Sequence, residues 1–340
     1  MTNPTRDTPR ILLAHGGGGR LSAQLIRDQI LPRFGHGPLA PLPDAASLHL
    51  DTPDILFTTD SFVVQPPLFP GGNIGDLAVY GTVNDLAVAG GRPRWLSLAL
   101  VLEEGLPLAT LQTVLDSVRD AAARCAVLIA TGDTKVVPRG QCDGLYINTA
   151  GIGERLPELT LDRRRIEADD AVLVSGNIGD HGLAVLAARE GIGIAGSPLS
   201  DTAPVHRLVD VARRFGPAVR FMRDPTRGGV AAVLNEIAGG QAFGVTIEEA
   251  ALPVSPGTRA LAEMLGLDIL GVPCEGRVLM VCSATGATAV LDAWRTLPEG
   301  RGAARIGTVT RDAARVCLQT LAGGRRLIAV PQGELLPRIC

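Results

Sequence analysis

The chain has 340 residues, with 32 basic and 35 acidic side chains and a net charge of −3. A hydrophobic share of 46% beside 20% charged residues excludes an intrinsically disordered chain and supplies cores for roughly two domains. The balanced charge excludes the basic excess of a nucleic-acid binder, and Lys135 is the one lysine among the basic residues, the other 31 being arginine.

The first ten residues are polar and only 11–14 follow as an apolar run, so no secretory segment is read and the cytoplasm is the expected compartment. No apolar stretch reaches the ~18 residues of a membrane span, so no membrane association is expected. Gly16, Gly17, Gly18 and Gly19 precede a helix marked by Leu21, Leu25 and Ile30. Bare N–H groups at a helix start favour an anion, although the same loop also reads as a hinge. No G-K-[ST] follows, so it is not a Walker A loop. Asp60 follows the apolar run 55–57, and Asn84 and Asp85 sit in GTVNDLAVAG.

Residues 95–102 read as a strand, and Leu111, Val114, Leu115, Val118 and Ala122 fall on one helical face. A second strand, 125–130, ends at a loop carrying Asp133, Thr134 and Lys135. The charged stretch 155–170 marks a boundary. Beyond it a strand (AVLVSG), the glycine-rich GNIGDHG and a helix at 183–189 follow, then helices at 204–215 and 229–238. Strands are expected at 244–247, 277–282 and 305–309, with a helix between the last two, so both halves are α/β. The last ten residues, with two prolines and a glycine, read as an extended tail ending in Cys340. The six cysteines form no C-x-x-C pair, which disfavours structural zinc.

Asp60, Asp85 and Asp133, each in an apolar neighbourhood, point to carboxylates converging at strand ends on Mg²⁺ and a nucleotide. Each taken singly is also a common cap or turn residue. Lys135, two residues past Asp133, suits a phosphate or a proton transfer; a solvated surface lysine is the plain alternative. The loop from Asp224 through Arg227 and Gly228 opens the helix at 229 and presents N–H groups beside an arginine. Glu275, between apolar runs, reads as a turn residue or as a buried base of raised pKa.

The runs from FTTDSF to LVLEEGLP, TGDTKVVPRG, INTAGIG, VSGNIGDHG, RDPTRGGV and the final PRIC resemble the HypE family of hydrogenase maturation factors, the carbamoyl dehydratases. The likeness extends from Ile11 to Cys340. The wider superfamily holds aminoimidazole ribonucleotide synthetase, selenophosphate synthetase and thiamine-phosphate kinase. The resemblance implies a two-domain synthetase-like α/β (α+β) fold. Its parts would be an ATP-binding, dimer-forming sheet domain over 1–160, an α/β domain over 168–330 and a mobile tail over 331–340.

It further implies ATP and Mg²⁺ as cofactors and a homodimer as the assembly. A carbamoyltransferase, HypF, would load Cys340, and a HypC–HypD iron scaffold would receive cyanide for [NiFe] hydrogenase. Carried onto this sequence, Asp60, Asp85, Asp133 and Asp224 would hold the metal. Gly16, Gly17, Gly18, Gly19, Asn73, Asn84, Thr134, Arg227 and Gly228 would hold the nucleotide. Cys340, Lys135 and Glu275 would perform the chemistry.

Overall fold

Strand runs and helical stripes alternate along the chain and assemble into two main sheets. The computed structural model describes residues 9–40, 42–193, 196–312, 315–330, 336 and 338–340. Helices α1 (Arg20–Leu25) and α2 (Leu31–Phe34) flank a π turn at Ile26–Ile30. Next come β1 (Ile55–Phe62), the hairpin β2 (Leu68–Phe69) and β3 (Gly72–Asn73), and α3 (Ile74–Val88). Then follow β4 (Gly91–Glu103), α4 (Leu108–Cys125), β5 (Leu128–Val137) and β6 (Leu145–Arg155).

The first sheet has the order β1-β6-β4-β5, antiparallel except for the β4–β5 pair. Leu111, Val114, Leu115, Val118 and Ala122 form the buried stripe of α4, as their spacing predicts. By contrast α3 is apolar on every side because it is packed between the sheet and α4, so it carries no helical stripe to read. Among the described residues, only one face of this sheet is covered. Phe62, Leu98, Leu100, Leu102 and Ile147 are buried in the core shared with the two helices. On the other face, register aligns Thr59 with Ala150 and Ser61 with Asn148, and sets Ala99 beside Asp133 and Val101 beside Lys135 and Tyr146; all are half-buried or exposed.

The second sheet gathers β7 (Ala171–Val174), β8 (Val219–Arg223), β9 (Gly244–Glu248), β10 (Leu279–Cys282), β11 (Ala304–Thr310), β12 (Val316–Gln319) and β13 (Arg325–Leu327). Its order is β13-β12-β9-β11-β7-β10-β8. Helices α5 (Asp180–Glu190), α6 (His206–Ala212), α7 (Gly229–Ala238), α8 (Pro256–Leu265) and α9 (Ala284–Arg295) connect the strands. Both faces are covered: Val172 and Val174 enter one core with α7, while Ala171 and Leu173 enter another with α6 and α9. Trp294 is fully buried in the latter, its Nε1–H donating to the Leu208 carbonyl at 2.9 Å.

Three local expectations need correction. The 125–130 strand is displaced: α4 runs through Cys125, and parallel pairing with β4 continues from Trp95–Leu128 to Glu103–Val137. Asp133, Thr134 and Lys135 therefore lie inside β5 rather than in a loop beyond it. Asp85 is on the last turn of α3, and Asp60 is within β1, so neither is at a strand end. In the tail, Leu336 and Ile339 are buried. The Val63 N–H donates to the Cys340 carbonyl at 3.1 Å and the Gln65 N–H to the Arg338 carbonyl at 3.2 Å, so residues 338–340 extend antiparallel beside the chain just past β1. Residues 331–335 and 337 lie outside the described residues. Among the described residues no helix is long and apolar enough to cross a membrane.

Candidate active site

Four carboxyl groups, Asp60, Asp85, Asp224 and Glu275, lie close enough to feel one another's charge where the two sheets meet. Asp60, on β1, points to the helix-covered side, and Asp85 on α3 accepts a hydrogen bond from the Thr58 hydroxyl at 2.9 Å. Asp224 follows β8 directly, and with Asp85 it lines a cavity of about 480 Å³ that also contains Arg155 and Arg223. Burial raises the Asp60 and Asp85 carboxyls, and Asp60 raises that of Asp85 further. Burial, then the Asp85 charge, pushes Asp224 up to about 7. Glu275 is buried, and burial followed by Asp224, Asp201, Asp60 and Asp85 pushes it well above the ordinary carboxylate range. Among the described residues its Oε1 is a buried acceptor with no hydrogen-bond partner. Four carboxyls of raised pKa, one of them orphaned, form a region of negative potential suited to a hard cation. In this state no three His, Cys, Asp or Glu side chains among the described residues converge as a complete ligand group.

The fourth expected ligand is elsewhere. Asp133 is on β5, at the opposite edge of the first sheet from β1, and strands about 4.8 Å apart put those edges about 14 Å from each other. It also points to the open face, beside Ala99, whereas Asp60 points to the covered one. Asp133 pairs with Lys135 at 3.5 Å, the two side chains 62% and 67% exposed. With Thr134 they edge a cavity of about 270 Å³ whose walls include Gly16, Gly18, Ile26, Phe34, Leu98 and Leu100. Glycine is required at two points of that loop. A Cβ on Gly16 would lie 2.8 Å from the Val136 nitrogen, and Gly18 has φ +74. Gly17 closes the preceding turn onto the Ala14 carbonyl, and Gly19 is the N-cap of α1.

Other expected nucleotide residues divide. Arg227 is exposed, 3.9 Å from Asp60, on the loop where Gly228 caps α7 with φ +77. Asn73 is instead the N-cap of α3, its Oδ1 accepting from Gly75 N–H at 2.8 Å and its Nδ2 donating to Ser117 Oγ at 2.6 Å. Asn84 is buried with its amide committed inside the chain. It donates to the Ala203 and Glu275 carbonyls and accepts from Val205 N–H. Asn84 thus clamps the Glu275 loop to α3 rather than facing a ligand.

The sequence reading missed Asp201 and His181. Asp201 Oδ1 accepts from the Glu275 N–H at 3.0 Å, and its Oδ2 is 3.2 Å from Arg277 Nε. No local pattern marks it. His181 is fully buried at the start of α5, inside the GNIGDHG run that reads simply as a glycine turn. A histidine entering an apolar helix was the available signal.

Comparison with known proteins converges on one family. Residues 43–155 match the AIR synthase related protein N-terminal domain, and residues 167–317 match the corresponding C-terminal domain. The carbamoyl dehydratase HypE of Bradyrhizobium diazoefficiens is 45% identical over 96% of this chain and 95% of that relative. A crystal structure of the hydrogenase maturation protein HypE in complex with ATP superimposes with a TM-score of 0.92 at 44% identity, covering 97% of this chain and 99% of that one. A HypE–HypF complex gives 0.80 at 39% identity, covering 90% and 99%. With both domains of the two-domain synthetase-like fold matched and near-complete coverage, the chain belongs to the HypE family of carbamoyl dehydratases.

Proposed function

We propose that this chain uses Mg²⁺ and ATP to dehydrate an S-carboxamide on Cys340 to a thiocyanate, which supplies cyanide ligands for [NiFe] hydrogenase. The observation that carries the reading is the position of Cys340. It pairs with Val63, three residues past Asp60, and at a strand rise of about 3.3 Å per residue that places it about 10 Å along the strand from the carboxylate cluster. A sulfur-bound amide oxygen is a poor leaving group, and Mg·ATP supplies the phosphoryl group with which it departs as phosphate. Loss of both N–H protons then leaves the nitrile on sulfur.

The protein's part is charge and position. Asp60, Asp85 and Asp224 fit Mg²⁺, which needs few protein carboxylates when phosphates and water complete its shell. Glu275, beside them, is the proton acceptor. Its orphaned Oε1 gives it a lone pair to use, and a cation among the neighbouring carboxylates would lower its raised pKa toward that of a base. The mainly apolar cavity beneath Gly16 and Gly18, edged by Lys135, is shaped for a nucleoside with its phosphates at the rim.

Lys135 and Cys340 cannot meet within one chain in this state. With 338–340 beyond β1, about four strand spacings, or about 19 Å, separate the tail from β5. The half-open face bearing Phe57, Val101 and Tyr146 supports a homodimer in which Asp133 and Lys135 of one copy complete the site of the other. The division of labour follows: 1–160 binds ATP and dimerises, 168–330 closes over the cluster, and the tail of 331–340 carries sulfur between partners. A HypF-type carbamoyltransferase loads the thiol, as the similarity to the HypE of a HypE–HypF complex supports. A HypC–HypD scaffold unloads it, all in the cytoplasm.

Intact-peptide mass spectrometry tests the whole. After incubation with the carbamoyltransferase system and ATP, the peptide ending in Cys340 should carry the mass of a cyano group. A persistent carbamoyl adduct would reduce the chain to a carrier, and no adduct at all would remove Cys340 from the chemistry.

A further inference from the structure

The segment that holds Cys340 in place also holds Glu275. His181 Nε2 is 2.9 Å from the Ile339 carbonyl, which can only accept, so Nε2 carries the proton and Nδ1 is the acceptor. Ser200 Oγ at 2.8 Å and Thr202 Oγ1 at 3.3 Å are the hydroxyls that can donate to Nδ1; they lie 2.6 Å from each other, and Ser200 Oγ accepts from the Thr202 N–H at 3.1 Å. Phe69 packs edge-on to the imidazole at 5.5 Å and 86°. The Gly182 backbone approaches Leu336 so closely that a Cβ there would be 3.2 Å from its Cδ1. The next residue in the loop, Asp201, accepts the backbone N–H of Glu275 at 3.0 Å. One three-residue segment, 200–202, is thus bonded to the imidazole on the tail and to the backbone of the proposed base.

We propose that His181 is a positioning residue: its Nε2–H grips the Ile339 carbonyl and, through Ser200 and Asp201, seats the Cys340 sulfur in fixed register with Glu275. The inference rests on the proposed role of Cys340, but the seat itself is measurable without ATP or a carbamoyl donor. The physical reason for a histidine is its two-ended geometry. A single planar ring donates at one nitrogen and accepts at the other, so the Ile339 carbonyl fixes the donor at Nε2 and leaves Nδ1 to accept from the hydroxyls of the 200–202 loop.

Two substitutions separate the ends. His181→Gln retains an N–H group near the Nε2 position, whereas His181→Asn retains a polar group only near Nδ1. In the full chain, alkylation of Cys340 by iodoacetamide, quantified on the C-terminal peptide, should accelerate about tenfold in His181→Asn and stay within about twofold of wild type in His181→Gln. The other five cysteines are buried and outside that peptide. Hydrogen exchange at Val63 and Gln65, whose amides donate to tail carbonyls, should follow the same order. In dehydration assays His181→Asn should lower kcat and leave the KM for ATP unchanged, with Gln restoring most of kcat.

Equal alkylation and exchange in the Asn and Gln variants, or wild-type behaviour in both, would overturn the seat. If His181→Asn does not fold, the double substitution Ser200→Ala and Thr202→Val keeps the imidazole and removes both hydroxyls within reach of Nδ1. It should raise both rates about threefold, and unchanged rates would overturn the proposal equally. A wild-type chain that never acquires a cyano group while the seat behaves as described would defeat the proposed function and leave the seat standing.

Discussion

The two sheets are finished differently, and their strands show it: β7 and β10 are wholly apolar, whereas β1 and β5 carry polar residues along their length. The seven-stranded sheet is buried on both faces at its centre, its β7 side chains alternating between two separate cores, and its edge strand β13 is exposed. The four-stranded sheet is covered on one face, and the described tail residues lie along one of its margins. Of the side chains proposed to act, Asp60 and Lys135 belong to the unfinished sheet and Asp85 to its helix α3, while Asp224 and Glu275 come from loops at strand ends of the seven-stranded sheet. A finished core contributes rigidity, and an unfinished one leaves edges and a face where a second copy, a nucleotide and a tail can enter.

This contrast breaks most visibly at its extremes. Trp294→Ala should cost about 3–5 kcal/mol, because it empties a fully enclosed site and leaves the Leu208 carbonyl without its donor; denaturant unfolding reads the loss. Lys135→Arg should keep fold and nucleotide binding but slow cyano-group formation by about a hundredfold, since guanidinium cannot replace a compact, deprotonatable ammonium. A near-normal rate would show that only charge is needed there. Next in size is complementation. Lys135→Ala and Cys340→Ala chains, each inactive, should recover about a quarter of wild-type activity when mixed and allowed to exchange, because half the dimers hold one intact pair. No recovery would place the lysine and its thiol in one chain.

A smaller effect concerns pH. Burial lowers His181 from 6.5 to about 4 in the seated form, against the hydrogen bond to Ile339, which raises it. The seated state therefore binds fewer protons, so seating is undiminished above pH 6.5 and is lost progressively as pH falls toward 4. Asp180 on the same helix and Asp201 on the facing loop are themselves raised by burial, and Arg189 and Arg277 supply the nearby positive charge. Exchange at Val63, corrected for its intrinsic pH dependence, should rise over that window; constant protection from pH 7 to 5 would contradict it. The smallest change expected is in the stability of Lys135→Ala, within about 1 kcal/mol, because its pair with Asp133 is solvent-exposed. A large loss would mean that the lysine is structural.

Much of the fold was legible because its signals are local. The α4 stripe, the glycine loops and the short apolar strands of the second half appear where periodicity places them. What escaped was α3, apolar on every side and therefore without a stripe, and the start of β5, where helix and strand compete for 125–127. At the site, Asp60, Asp85 and Glu275 stood out as acids beside apolar runs and Asp224 as the head of a loop opening a helix, and the fold brings these four near one another, whereas Asp133, chosen on the same grounds as Asp60, lies on the far edge strand. Asn73 and Asn84 stood beside the same motifs, yet one caps a helix and the other ties the Glu275 loop, because a side-chain amide serves the backbone as readily as a ligand.

The sequence by itself determined the family motifs, the alternating elements, and the singularity of Lys135 in a chain that otherwise uses arginine. Only tertiary structure decided that Lys135 stands on an open sheet face, on the edge strand farthest from Asp60. It also decided that the last residues lie extended beyond β1, and that His181 and Glu275 are joined by one loop. Periodicity is encoded within a few residues, whereas register, facing and the meeting of residues 181, 201, 275 and 339 depend on pairings between distant segments.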